Sequence, residues 1–168
     1  CRALKLDVTD LYLLQKPDSA TNSITPIFTA LDFNKLPVAP SNDMHPIEGF
    51  KRLLALAQLR SLTPRATDLL HQYAASDFAN LATIYALLTN SLSMPDGEVK
   101  LAADEIKITT HEQFRDPIAL TALLELLIAL KQLGATVKQA EQLVKDEPND
   151  VDAATAKSLL RQKYSDSA

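Results

Sequence analysis

Apolar residues recur at three- and four-residue spacing, the period of a helix face, along most of this chain. The run from Ile118 to Leu130 leaves almost no polar face, which predicts a central, buried helix. Residues that favour a helix start precede several of these runs. A side-chain oxygen at the N-cap can accept a hydrogen bond from a free backbone amide, and proline at the first helical position sacrifices no helical hydrogen bond. The predicted starts are Thr63-Pro64, Ser76-Asp77, Asp116-Pro117, Thr136, and Asn149 or Asp150, and Gly134 is predicted to end the central helix.

These runs predict an all-α fold, an irregular multi-helix bundle of about seven helices with helix-turn-helix modules. Residues 98–108 stay open, since Val99, Leu101 and the alternation of Ile106 with Ile108 fit either a short strand pair or a loose helix. The other predicted helices cover residues 10–15, 46–61, 64–75, 117–133, 136–145 and 150–164, with one more between Ser76-Asp77 and a turn at 94–97.

Residues 17–45 interrupt the helical pattern with four prolines and the triplet Ser41-Asn42-Asp43, which is typical of an irregular connection. We therefore divide the chain into residues 1–45, a short helix plus a Pro-rich irregular connection, and residues 46–168, a helical bundle. Together they are predicted to form one domain. The chain lacks an initiator Met and begins inside an apolar-polar rhythm, so we expect it to be a fragment of a larger protein.

The apolar stripes of the predicted helices also indicate the hydrophobic core. A side chain belongs to the core when it repeats on one helix face, because that face packs against the rest of the bundle. The core candidates are Phe50, Leu53, Leu54, Leu69, Phe78, Leu81, Tyr85, Leu123, Leu127 and Leu130.

Two stretches of the sequence look alike. Residues 58–63 (QLRSLT) and residues 132–136 (QLGAT) each stand at the end of a long predicted helix and precede a short helix and a further helix. The match needs one-residue gaps. Either the chain contains an internal repeat, or both stretches simply share the common chemistry of helix–turn–helix segments.

Composition narrows the function classes. The chain has 17 Lys and Arg against 21 Asp and Glu, a net charge of -4, so it lacks the basic surplus that neutralises nucleic-acid phosphates. With 3 Gly, it also lacks a Gly-rich phosphate loop. The single cysteine, Cys1, cannot form an internal disulfide or a cysteine cluster for zinc.

No combination of histidine, carboxylate or nucleophilic residues in the sequence has the spacing of a known catalytic motif. The segment from His111 to Arg115 begins like the zinc-binding H-E-x-x-H helix, but Arg115 stands where the second histidine ligand is needed. His45 with Glu48 is better explained as helix-start chemistry, and His71 as a half-buried surface histidine. We therefore predict no enzyme activity and no catalytic, cofactor-binding or metal-binding residues.

The C-terminal half carries a family resemblance. Phe114-Arg115-Asp116-Pro117 leads into a leucine-rich helix, which is followed by Leu133-Gly134-Ala135-Thr136, a short helix, and the stretch from Ala153 to Tyr164 that contains Leu160-Arg161-Gln162-Lys163-Tyr164. This succession resembles the helical region of the A subunit of bacterial insecticidal toxin complexes (Tc toxins). The opening from Leu4 to Leu11 is similar to the start of an earlier shell segment of that family, whereas residues 17–45 match poorly.

The resemblance implies a structural role. Members of the family form homopentamers whose α-helical shell surrounds a channel, and the channel delivers a toxic enzyme from the B and C subunits into a host cell. This chain would then be a shell module that contacts other domains of the same chain. The implied partners are the pentamer, the B–C subunits and the host cell surface, and the implied location is secreted or at the bacterial cell surface.

Two other interpretations stay open. The first is a free-standing helical adaptor or scaffold whose grooves bind partner helices or peptides. The second is an α-helical enzyme that uses His45, His71 or His111. The complete reading frame separates the first from a shell module, because a shell segment is followed by further modules and a very long channel helix.

Overall fold

The computed structural model describes residues 6–7, 9–10, 45–63, 68–76, 80–144 and 149–165. Within these residues every regular element is a helix, which confirms the all-α prediction, with eight helices against about seven. They are α1 (His45–Leu62), α2 (Leu69–Ala74), α3 (Leu81–Leu92), α4 (Glu98–Glu105), α5 (His111–Phe114), α6 (Pro117–Leu133), α7 (Val137–Leu143) and α8 (Asp150–Ser165).

The open question at residues 98–108 is decided in favour of a helix. On α4, Val99, Ala102 and Ala103 are completely buried at helical spacing. The backbone then turns at Lys107, whose φ is 60°, and the amide of Ile108 donates to the carbonyl of Ala103. The Ile106/Ile108 alternation therefore reflects a helix end of the left-handed type, not a strand.

In the C-terminal half of the chain, the helices begin and end at the predicted capping residues. Asp116 caps α6 by accepting the amide of Ile118 at 3.0 Å, and Gly134 ends that helix with φ 67°. Thr136 caps α7 in a reciprocal capping box with Gln139. Asn149 accepts the amides of Val151 and Asp152 at the start of α8.

In the N-terminal half of the chain, the observed helix starts agree less well with the predicted ones. The helix predicted to follow Ser76-Asp77 begins at Leu81, because Asn80 supplies the capping oxygen by accepting the amide of Ala82. The hydroxyl of Thr63 donates to the carbonyl of Leu59, and α2 begins only at Leu69. The amides that Thr63 would cap lie in residues 64–67, outside the described residues, so its capping role stays a prediction. Residues 11–44, which contain most of the predicted first helix and the Pro-rich connection, also lie outside.

The centre of the fold is the contact between α1 and α6, the most extensive helix pair in the described part of the chain. The two helices run parallel, since their cross-contacts advance together along both. In order along the helices, these contacts are Arg52 with Asp116, Ala55 with Thr121, and Gln58 with Glu125.

Four core candidates are confirmed as buried: Leu69, Leu123, Leu127 and Leu130. Leu53, Leu81 and Tyr85 are partly buried against the same core, and Phe78 lies outside the described residues. The prediction was wrong for Phe50, 55% exposed, and Leu54, 42% exposed. The buried face of α1 is centred on Leu56 and Leu59, so these two residues stand on the opposite side of the helix.

The first three helices and the last three helices of the described structure follow the same order of lengths. α1, α2 and α3 form a long helix, a short helix and a further helix, and α6, α7 and α8 repeat that order after α4 and α5. The first helices of the two groups, α1 and α6, are the ones that pack side by side. The shared order fits both the internal repeat and the common chemistry of helix–turn–helix segments.

Candidate functional site

The three histidines lie apart from one another in different elements. His71 is on α2, with Nε2 3.7 Å from Oδ1 of Asp68, and His111 is an exposed residue in the first turn of α5. His45 begins α1, and its side chain lies outside the described residues. Within the described part of the chain, no group of three or more His, Cys, Asp or Glu side chains is placed to hold a metal ion.

A cluster of charged side chains joins the N-terminal residues to α1 and α2. Asp10 is completely buried, and its Oδ1 lies 3.0 Å from Nε of Arg60, whose side chain is 8% exposed. Nη1 of Arg60 lies 3.7 Å from Oδ1 of Asp68. The other carboxylate oxygen of Asp10 accepts the amide of Asp7. Because buried charges are costly without partners, this cluster acts chemically as an anchor between chain segments.

Sequence reasoning missed this cluster for a physical reason. Arg60 lies in an apolar helix, where an arginine commonly extends its charged end to solvent. Its partner Asp10 is far away in the sequence, and no local pattern connects the two. The only signal in the sequence was a basic residue beside a strongly apolar stripe.

The shifted pKa values in the structure have local structural causes. Helix-start hydrogen bonds to its own backbone amide and to the hydroxyl of Thr110 lower the pKa of the exposed Glu112, and the charges of His111 and Arg115 lower it further. The hydrogen bond and charge of Asp104 raise the pKa of Lys100. Both groups are exposed on helix surfaces, and the largest causes of both shifts are neighbours within four residues, which is ordinary helix-surface chemistry.

Burial causes the larger of the two tyrosine pKa shifts, that of Tyr73. It raises the pKa of Tyr73 well above the usual 10.0. The Tyr73 hydroxyl, on α2, donates to the carbonyl of Phe114 at the end of α5, at 2.7 Å. The ring of Phe114 makes an edge-to-face contact with Tyr85 of α3, with the ring centroids 5.6 Å apart. This arrangement ties three helices together and leaves the phenol enclosed.

The central helix pair carries exposed apolar side chains. We define the α1 face by Phe50 and Leu54, which are 55% and 42% exposed. On α6, the exposed residues Ala129, Gln132 and Leu133 include one large apolar side chain, that of Leu133, which is 44% exposed. Phe50 and Leu54 lie four residues apart on one side of α1, and neighbouring exposed apolar side chains of this kind occur on surfaces that bind another protein.

In the described part of the chain, no single helix is long and apolar enough to cross a bilayer. Pro117–Leu133 and Val137–Leu143 reach that length and hydropathy only together, across a bend of 85°. Seven residues of α6 are buried inside the protein, which explains why its sequence is so apolar.

Comparison with protein-family models, with curated proteins and with solved structures found no match for this chain. The class of the protein therefore rests on its own geometry, which defines an all-α bundle built around a parallel helix pair.

Proposed function

We propose that this chain is a structural module of the α-helical shell of a channel-forming toxin subunit of the Tc type. The observation that carries the proposal is the succession in residues 114–164: an Asp-Pro helix start, a leucine-rich helix, a Gly-Ala-Thr turn, a short helix and a final helix. The helix order α6, α7, α8 has the same form, with Asp116, Gly134 and Thr136 at the boundaries between the helices.

The side-chain arrangement supports a structural role. The buried polar groups of the described residues pair with one another or with backbone: Asp10 with Arg60, Thr121 with two carbonyls, and Asp152 with the amide of Asn149. The Asp10–Arg60 pair and the Thr121–Ala55 hydrogen bond join separate elements and fix how they pack, because a buried polar group is costly unless its partner is in place. As a shell module, the chain would contact other domains of the same long chain through its exposed apolar surfaces.

The experiment compares two carboxylate substitutions in the complete toxin subunit. Leu127→Asp places a charge at a position with 0% exposure, whereas Ala153→Asp places the same charge on the exposed side of α8. The shell proposal expects Leu127→Asp to abolish assembled particles and toxin delivery while the B–C cargo enzyme stays active in isolation, and Ala153→Asp to change neither. Wild-type assembly and delivery with Leu127→Asp would contradict the proposal.

The adaptor interpretation remains the second candidate, because Phe50 and Leu54 are exposed as on surfaces that bind partner helices. The complete reading frame separates the two: a shell module requires further modules and a very long channel helix, and an adaptor requires neither. One equivalent of metal bound by the purified chain and lost on His111→Ala would contradict both and favour the enzyme interpretation.

A further inference from the structure

The turn between α3 and α4 contains the Asp96–Gly97 pair, the only place in the sequence where glycine follows an aspartate or an asparagine. Both residues are exposed. The turn is closed by the amide of Glu98, which donates to the carbonyl of Pro95 at 3.3 Å. Gly97 has φ 84° and ψ -19°, a backbone conformation that glycine adopts without strain. The pair therefore lies at the surface, in a turn that depends on its glycine.

The reactive groups of the two residues have no partners. Among the residues that the structure describes, none accepts a hydrogen bond from the Gly97 amide, and none donates to or pairs with the Asp96 carboxylate. A Cβ placed on Gly97 would meet no atom within 4 Å, so the space around this amide is open. Because glycine tolerates either sign of φ, the peptide between Asp96 and Gly97 can rotate. The amide nitrogen can then approach the side-chain carboxyl carbon of Asp96.

Two asparagines with the same potential chemistry are held differently. Asn90 is followed by Ser91 within α3, where the backbone amide belongs to the hydrogen bonds of the helix. The side-chain oxygen of Asn149 accepts the amides of Val151 and Asp152 at 3.0 Å each, which holds that side chain in place. The combination of a free side chain, a free following amide and a glycine therefore distinguishes Asp96 from these two residues.

We propose that Asp96–Gly97 is a site of spontaneous covalent modification in the folded chain, the isomerisation of Asp96 to isoaspartate. The Gly97 nitrogen attacks the side-chain carboxyl carbon of Asp96. An N–C bond forms, the nitrogen loses its proton and the carboxyl group loses an oxygen, so one water leaves and a five-membered succinimide ring remains.

Water then reopens the succinimide ring at either of its two carbonyl carbons. Cleavage of the new N–C bond restores aspartate, whereas cleavage of the original peptide bond leaves isoaspartate, in which the main chain passes through the former side chain. The water lost in the first step is regained in the second, and no oxidant or reductant takes part. This inference does not rest on the toxin proposal, because it concerns the chemistry of the turn alone.

Isoaspartate at position 96 lengthens the main chain by one carbon atom immediately before α4. The carbonyl of Gly97 accepts the amide of Leu101 at 3.0 Å and so begins the hydrogen bonding of that helix. In the next residues, Glu98 accepts the amide of Val137 on α7 at 2.8 Å, and Val99 is completely buried. Since these contacts fix the start of α4, a longer connection should displace them and lower the stability of the fold.

The test ages the purified chain at neutral pH, below its melting temperature, and in parallel in denaturant. Peptides from each sample are then separated and sequenced by electron-transfer mass spectrometry, which distinguishes isoaspartate from aspartate of equal mass. Asp96→Glu is the matched control, because it keeps the negative charge but would have to close a six-membered ring, which forms far more slowly. Thermal melting of fresh and aged samples measures the structural consequence.

We expect isoaspartate to accumulate at position 96 of the folded chain at a rate of the same order as in the unfolded chain. Asn90 and Asn149 should stay unmodified while the chain is folded, and aged wild type should melt below aged Asp96→Glu. Isoaspartate at position 96 only in the unfolded chain, or modification of Asn90 or Asn149 as fast as that of Asp96, would overturn the proposed site. Equal melting of the aged wild type and the aged control would overturn the proposed effect on α4.

Discussion

The hydroxyl of Thr121 on α6 lies 3.2 Å from the carbonyl of Ala55 on α1 and 2.7 Å from the carbonyl of Pro117 one turn back on its own helix. Thr121 is 6% exposed, so this hydroxyl is a buried polar link between the two longest described helices. The link fixes which residues of α1 and α6 face each other, since a shift along either helix would break it.

Replacing Thr121 with Val tests this link, because Val keeps the shape and removes the hydroxyl. We expect Thr121→Val to lower the free energy of unfolding by about 0.5–1.5 kcal/mol in denaturant titrations. Thr155→Val is the matched control, because the Thr155 hydroxyl donates only to Val151 on its own exposed helix surface. Equal losses in the two variants would show that the link to Ala55 contributes nothing.

Leu127 tests whether α6 is the centre of the core. Its exposure is 0%, so Leu127→Ala leaves a cavity and should lower the free energy of unfolding by about 2–5 kcal/mol. Leu101→Ala makes the same chemical change at a residue that is 38% exposed, and should cost well under that range. A loss below about 1 kcal/mol for Leu127→Ala would place this residue outside the packed core.

Thr136 tests the capping box at the start of α7. Its side chain accepts the amide of Gln139, and the side chain of Gln139 accepts the amide of Thr136 in return. Thr136→Ala should therefore cost about 1 kcal/mol in thermal or denaturant unfolding. Thr136→Ser retains the capping oxygen and should stay close to wild type, and equal destabilisation by Ala and Ser would contradict a capping role.

Tyr73 should make stability depend on alkaline pH. Burial raises its pKa in the folded state, so its contribution is fully present below the ordinary value of 10.0 and is lost as pH rises above that value towards the folded-state pKa. Tyr73→Phe lacks this titration and also the hydrogen bond to Phe114. Wild type should therefore exceed the variant in stability by about 1–2 kcal/mol near pH 8, and the difference should shrink above about pH 10.

Denaturant midpoints of both proteins across that pH range provide the measurement. The partly buried Tyr85, whose pKa is raised by burial and by Asp104, is present in both proteins and cancels in the comparison. Stability profiles that stay parallel above pH 10 would show that the Tyr73 phenol is not enclosed.

Much of the fold was predictable because it follows from local chemistry. Asp116, Gly134 and Thr136 act through hydrogen bonds or backbone angles within a few residues, and the structure places each boundary where those rules put it. The same rules did not distinguish Asn80 from Ser76 as a helix start, because both side chains can cap an amide.

The burial of α1 was harder to predict, because its apolar residues cover more of the helix than the core contacts. Phe50 and Leu54 extend the stripe beyond the face that packs on α6, and only the position of that neighbour shows which apolar side chains are buried. The Asp10–Arg60 pair was not predictable for a related reason: its two charges meet only when the N-terminal residues fold back onto α1.

The shell proposal would place this chain in the helical wall of a large toxin subunit, and its position in the assembled particle tests that proposal most directly. An antibody fragment raised against the purified chain would be bound to the complete subunit and located by electron microscopy. The account predicts five bound fragments, equally spaced around the outer shell of a pentameric particle. Fragments located on the central channel axis, or bound only to single chains that never form a pentamer, would contradict it.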